Sequence, residues 1–233
     1  NSSLSLVRLA LLIVNPIGVV LLPRISNKIA TGLINEVNNM LNILLKAGLF
    51  LGVIGAIYFY INAPLILKLW LGEVSVNGVN ILRLTILALP FYTFAGLSRS
   101  PIDAVSERGY NSLIYSLAAI VMISIIFIGD IFHFDYLETA LISFLISHIV
   151  AGLTSAYFIQ TLYKSKLWNF KYIRDIVGSV LIVYMISHLL SFAEISGSSQ
   201  LIIGAATYLV IGVIVFKYVK LGWIADLKAI MYA

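Results

Sequence analysis

The chain has 233 residues, 61% of them hydrophobic and 11% charged, with a net charge of +5 and a mean hydropathy of +1.04. A water-soluble domain carries about 25% charged residues, so this chain lacks the polar groups to cover a surface in water, and a bilayer is the solvent that fits. There is no cysteine, which excludes disulfides, thiolate metal sites and cysteine nucleophiles.

The chain starts at Asn1 and runs almost at once into an apolar stretch with no cleavable signal pattern, so we expect a fragment of a longer protein. A membrane-crossing helix needs roughly 20 largely apolar residues. Seven stretches meet that requirement, at about 4–23, 41–62, 80–98, 111–129, 137–160, 173–192 and 200–218. Their connections are short and rich in breakers, and no long strand-like alternation occurs, so a β-barrel is not expected. The expected fold is all-α, a polytopic membrane helix bundle of about seven transmembrane helices.

The first span holds Ser5, Arg8, Leu12 and Asn15 at spacings of 3, 4 and 3, which stacks them on one helical face. Pro16 lacks an N–H, so the Leu12 carbonyl loses its helical partner and a kink is expected there. Arg8 could hold an anionic group bidentately, as arginines hold phosphates. It could instead snorkel to the headgroups from its place near the span's end.

Pro23 reads as a hard stop. After it, Ile25, Ile29, Leu33, Val37 and Leu41 recur every four residues between polar ones such as Asn27, Asn35 and Asn38. This predicts an amphipathic connector over 24–40, either lying along the inner leaflet or packed on the bundle. In the third span, Pro90 and Gly96 predict another bend, and Arg83 near its end reads as a snorkelling residue. In the fifth span, Thr139, Ser143 and Ser147 form a stripe leading to His148, continued by Gly152 and Ser155. Helix packing through small residues is the favoured account of that stripe. A cavity-facing, protonatable His148 that meets substrate is the sharper one.

Orientation follows from the basic residues. Twelve of them (Arg24, Lys28, Lys46, Arg99, Arg108, Lys164, Lys166, Lys171, Arg174, Lys217, Lys220 and Lys228) fall on one side of the expected topology, against Arg8, Lys68 and Arg83 on the other. This places the start of the chain outside and its end in the cytoplasm. The sequence holds no phosphate-binding loop, no H-E-x-x-H pair and no complete nucleophile elbow. An enzyme is therefore not expected, nor a cofactor, a metal or a nucleic-acid partner.

Three stretches carry a resemblance. "LVRLALLIVNPIGVVLLPRIS" resembles a span that ends in a characteristic proline–basic signature in the multidrug/oligosaccharidyl-lipid/polysaccharide exporter superfamily. "ILKLWLGE" before a proline-bearing span and "DAVSERGYNSLIYS" after it resemble the same family in the same order. Recognisable motifs cover the first 30 residues and 65–115. The superfamily includes flippases for polysaccharide repeat units of the O-antigen and teichoic type and for the lipid-linked peptidoglycan precursor.

The resemblance implies two lobes around a central cavity, commonly with twelve or fourteen spans. Residues 1–165 would be most of the second lobe and 166–233 a terminal helix pair with a cytoplasmic C-terminus. A fragment of seven spans from such a protein starts outside and ends inside, as the charge bias also indicates. The implied activity is alternating-access transport of lipid-linked oligosaccharide repeat units across the cytoplasmic membrane. The implied partners are a polyprenyl-pyrophosphate-linked oligosaccharide, the bilayer, the missing N-terminal half, and a polysaccharide polymerase and glycosyltransferases. Cationic cavity residues of the family meet the lipid pyrophosphate, and Arg8 stands where the family often has Arg or Lys. Ser5, Asn15 and His148 complete the candidate substrate-binding set.

Two alternatives stay open. A drug/cation antiporter of the same superfamily needs a carboxylate inside a span, whereas Asp130, Glu138, Asp175 and Glu194 all fall at span ends. A seven-helix receptor fits the topology but lacks a retinal-type lysine in its last span.

Overall fold

The computed structural model of the chain describes residues 23–72 and 74–164, and beyond them 174, 176–178, 180–182, 184–185, 199, 201–206 and 210. The chain divides into two units, Asn1–Leu167 and Trp168–Ala233. In the first, the described elements are α1 (residues 23–30), α2 (Ile34–Ile61), α3 (Ala63–Leu71), α4 (Val76–Ile86), α5 (Leu89–Val105), α6 (Tyr110–Ile131) and α7 (Tyr136–Tyr163). In the second, residues 201–206 are helical. Among the described residues there is no strand, and the fold is an all-α helical bundle.

Four helical stretches are long and apolar enough to cross a membrane: Ile34–Ile61, Val76–Val105, Tyr110–Ile131 and Tyr136–Tyr163. They coincide with four of the seven expected spans. The expected spans at 4–23, 173–192 and 200–218 lie wholly or largely outside the described residues.

Local chemistry sets the helix boundaries. Gly32, at φ +77°, ends α1 in the left-handed conformation that glycine adopts without a Cβ clash. Its N–H donates to the Ile29 carbonyl and the Leu33 N–H to the Lys28 carbonyl, a paired closure of a helix C-terminus. The expected single amphipathic helix over 24–40 is therefore two helices, because the left-handed residue resets the helical phase. Ile25, Val37 and Leu41 are buried as the four-residue repeat requires, but Leu33, beside the break, is exposed. Lys28 and Glu36 form an exposed ion pair of 2.8 Å across the turn. Pro23 is the first described residue of α1, and the segment expected to stop at it lies outside the described residues. At the other ends, Ser75 caps α4 by accepting from the Gly78 N–H at 3.0 Å. Asp135 caps α7 by accepting from the Glu138 N–H at 2.9 Å.

The expected bend at Pro90 is present and Gly96 lies within unbroken helix. Proline has no N–H to offer and its ring collides with the carbonyl four residues back, here that of Ile86. The span accordingly breaks into α4 and α5 around Leu87 and Ala88, with the Ala88 N–H closing a tight turn onto the Thr85 carbonyl at 3.2 Å. Together α4 and α5 are the bundle's most enclosed span, 61% buried, whereas α6 is only 17% buried and flanks α7 from outside.

Glycines position α5 against its neighbours. A Cβ on Gly52 of α2 would come within 2.9 Å of the Pro90 Cα and 2.6 Å of the Thr93 hydroxyl. One on Gly152 of α7 would meet the Phe91 Cβ at 3.0 Å and its Cα at 3.2 Å. Thr139 of α7 fills the corresponding space over Gly129 of α6. Small residues serve this purpose in lipid, where helix association depends on close van der Waals contact. Gly52→Ala should therefore cost about 1–3 kcal/mol by overpacking against backbone. Gly55→Ala, whose Cβ would sit 3.5 Å from the mobile end of Leu89, should be neutral or mildly stabilising. Thermal midpoints of the detergent-solubilised variants check this, and equal midpoints for the two would contradict it.

Candidate functional site

Of the candidate substrate-binding residues, Ser5, Arg8 and Asn15 lie outside the described residues. His148 is described, on α7 where that helix faces α5. Its ring lies against Phe144, with centroids 4.2 Å apart, and meets Tyr92 of α5 edge-on at 5.0 Å. Nδ1 is 2.8 Å from the Phe144 carbonyl. A carbonyl only accepts, so Nδ1 is the donor in this contact. The imidazole is thus half-buried and tied to its own helix while filling the α5–α7 interface with an aromatic neighbour from each side.

The stripe leading to His148 behaves as packing. Thr139, Ser143, Ser147 and Ser155 are all buried. The Ser143 hydroxyl donates to the Ala140 carbonyl and the Ser147 hydroxyl to the Phe144 carbonyl, both at 2.8 Å. These hydroxyls satisfy themselves within α7 and present a thin, smooth face to the neighbours. The cross-helix hydrogen bond lies further along, where the buried Tyr163 hydroxyl of α7 donates to the Pro101 carbonyl of α5 at 2.7 Å. Thr93 does similar service between α5 and α2. Its hydroxyl is 3.0 Å from the Leu89 and Pro90 carbonyls and 3.5 Å from that of Gly48.

Arg83 is not a free snorkelling residue. Its Nε donates to the Tyr60 carbonyl at 3.2 Å, and its guanidinium lies 5.2 Å from the Tyr60 ring centroid. Tyr60 is in the last turn of α2, where carbonyls lack helical partners and a cation is favoured. Arg83 therefore ties α4 to the end of α2.

Two features escaped the sequence reading. Gly48 and Gly52 form a small-xxx-small pair on α2 that faces α5, with Leu97 over Gly48. The G-x-x-x-G spacing in "GLFLG" was the available signal. The other is a pair of buried side-chain oxygens, Asn38 Oδ1 and Asn42 Oδ1, with no hydrogen-bond partner. They stand one turn apart on α2, and Lys46 follows one turn further in. Their spacing is visible in the sequence, but their burial is not. Among the described residues no group of three or more His, Asp or Glu is placed to hold a metal ion.

The geometry places the His148 ring in the α5–α7 interface, between Phe144 and Tyr92. His148→Phe, which conserves ring volume, should stay within about 1.5 kcal/mol of the parent. His148→Ala, which leaves Tyr92 and Phe144 without their neighbour, should lose more, on the order of 1–3 kcal/mol. Thermal unfolding in detergent distinguishes them, and a His148→Phe variant as unstable as His148→Ala would contradict the assignment. Comparison of the chain with protein-family models, curated proteins and solved structures finds no match.

Proposed function

We propose that this chain is part of a membrane exporter that moves lipid-linked oligosaccharide repeat units across the cytoplasmic membrane by alternating access. The observation that carries the transport reading is the interrupted span. Val76–Val105 is long enough to cross a bilayer, yet it breaks near its middle at Leu87–Ala88 and is the most enclosed of the four described spans. Transporters place discontinuous helices of this kind near the bilayer midplane, where freed backbone groups serve the pathway and lobes rock about it. The Gly52, Gly129 and Gly152 contacts support the same reading, since smooth interfaces let helices pack as rigid groups that move together.

The cargo rests on the resemblance of residues 6–26, 66–73 and 103–116 to the polysaccharide exporters. In this reading Arg8 meets the lipid pyrophosphate, helped by Ser5 and Asn15 beside the kink at Pro16. The sugar crosses through a hydrated cavity while the polyprenyl tail stays in the bilayer. The start of the chain faces outward, and the basic ends of α2, α5, α6 and α7 face the cytoplasm. His148 supports the lobe from within, and the missing N-terminal half supplies the facing wall of the cavity. Polymerase and glycosyltransferases act on either side of the transport step.

In the full-length protein, Arg8→Ala should cut surface polysaccharide about ten-fold or more at unchanged protein level. The loss of one charged, bidentate contact to phosphate costs roughly 1.5–3 kcal/mol. Arg8→Lys should retain part of the activity, because it keeps the charge but not the fork. Complementation of a deletion strain, read by surface-polysaccharide staining, checks this. Full complementation by Arg8→Ala would remove Arg8 from the site.

A further inference from the structure

The short helix α3 has two apolar sides and only one of them is used. Ala63 and Leu67 are buried with Val79 and Leu82 of α4, and Ile66 packs at the edge of that cluster. On the other side Leu69 is 58% exposed and Trp70 48%, and Val76, the first residue of α4, is 76% exposed. The only charged residue of α3 is Lys68, which is exposed.

We infer that the exposed side of α3, with Leu69 and Trp70, is seated in the headgroup–acyl boundary of the bilayer on the side opposite the basic helix ends. Water is a poor neighbour for a contiguous patch of this kind. Nine residues rise only about 14 Å, under half the ~30 Å hydrocarbon core, so α3 cannot cross. It cannot leave the boundary either. A single residue, Asn62, separates it from the end of α2, and its side chain and N–H both close onto the Tyr58 carbonyl, at 3.0 and 3.1 Å. Four residues, Gly72 to Ser75, separate it from α4.

A second cluster on the same side marks the same level. The α6–α7 turn exposes Phe132, Phe134 and Tyr136, with the first two rings stacked 6.0 Å apart. Aromatic rings gather at the membrane–water boundary because one part of the side chain is apolar and another tolerates water. Trp70 and Lys68 of α3 match that environment, the indole at the boundary and the ammonium toward lipid phosphate. The inference rests on the reading of the four helices as membrane spans and is independent of the cargo.

The absence of native cysteine in this chain makes it testable by site-directed spin labelling. Labels at Trp70→Cys and, separately, Leu69→Cys would be measured in the full-length protein, with any cysteines elsewhere in it removed. The protein would be reconstituted in vesicles of phosphatidylethanolamine and phosphatidylglycerol. The readout is the accessibility of each label to oxygen and to a water-soluble nickel chelate. Ile120→Cys, at the exposed middle of α6, serves as the lipid reference, and Glu107→Cys, in the exposed α5–α6 turn, as the water reference. The expected oxygen-to-nickel ratio at both α3 sites lies between the references, at a depth of about 5–10 Å below the headgroups. A ratio equal to that at Glu107 would overturn the inference by placing α3 in water. Shielding from both reagents would overturn it by placing another part of the protein over α3. A water-like ratio at Ile120 itself would instead overturn the membrane reading on which the inference stands.

Discussion

The approach of α2 to the backbone of α5 at Gly52 is the contact on which the rest of the bundle depends. In water, apolar helices are driven together by burial. In lipid that drive vanishes, because tails are as apolar as leucine, and association depends on how closely two backbones can come. Gly52 lets α2 reach Pro90, and Gly152 lets α7 reach Phe91, one residue further along the same helix. Helix α5 is thereby held on two sides at nearly one level. Helix α6 meets α5 near its start, where the Asn111 amide donates to the Arg99 carbonyl and the Asp103 carboxylate, and packs mainly on α7. Its largely exposed surface is what a lipid-facing helix should show.

That arrangement is tied to the break in the third span. Pro90 removes one backbone hydrogen bond and forces the chain to restart as α5, and the same proline presents the backbone that Gly52 receives. A kink alone would leave backbone carbonyls short of donors in a medium without water. Here the Ala88 N–H closes onto the Thr85 carbonyl, and α2 and α7 enclose the segment. Irregular backbone is tolerated at membrane depth under such conditions.

Polar side chains inside the spans follow a common rule of bonding first to the nearest carbonyl. Ser143, Ser147 and Thr154 return to their own helix, and His148 does the same through Nδ1. Tyr163 reaches across to Pro101 and Arg83 reaches the end of α2, and these longer contacts join separate elements. The buried oxygens of Asn38 and Asn42 are acceptors that no nearby carbonyl can satisfy, and they stand on the helix that carries the polar Asn face inward.

Much of this was legible beforehand. The run lengths of apolar residues located the four described spans, because the bilayer imposes a length on any helix that crosses it. The match is close at the ends near Ile61, Val76, Ile131 and Tyr136 and less close at Ile34 and Val105, where the helices run on past the apolar stretch. The bend at Pro90 followed from the missing N–H, and the serine stripe of α7 from its four-residue spacing. Other expectations failed for local reasons. The repeat from Ile25 to Leu41 is real as a pattern, yet Gly32 permits a left-handed turn that no periodicity reports. The tie between Arg83 and the end of α2 was not legible, because its partner carbonyl, on Tyr60, is 23 residues away.

By itself, then, the sequence determined the solvent, the helical class and the positions of the crossings, because hydropathy and proline chemistry act along a single segment. Only the tertiary structure decided which face of each crossing is covered. It seated α5 against Gly52 and Gly152, turned His148 into an interface residue and left the Trp70 side of α3 open. Those outcomes depend on which backbone comes within contact distance of which, and that is a property of pairs of helices.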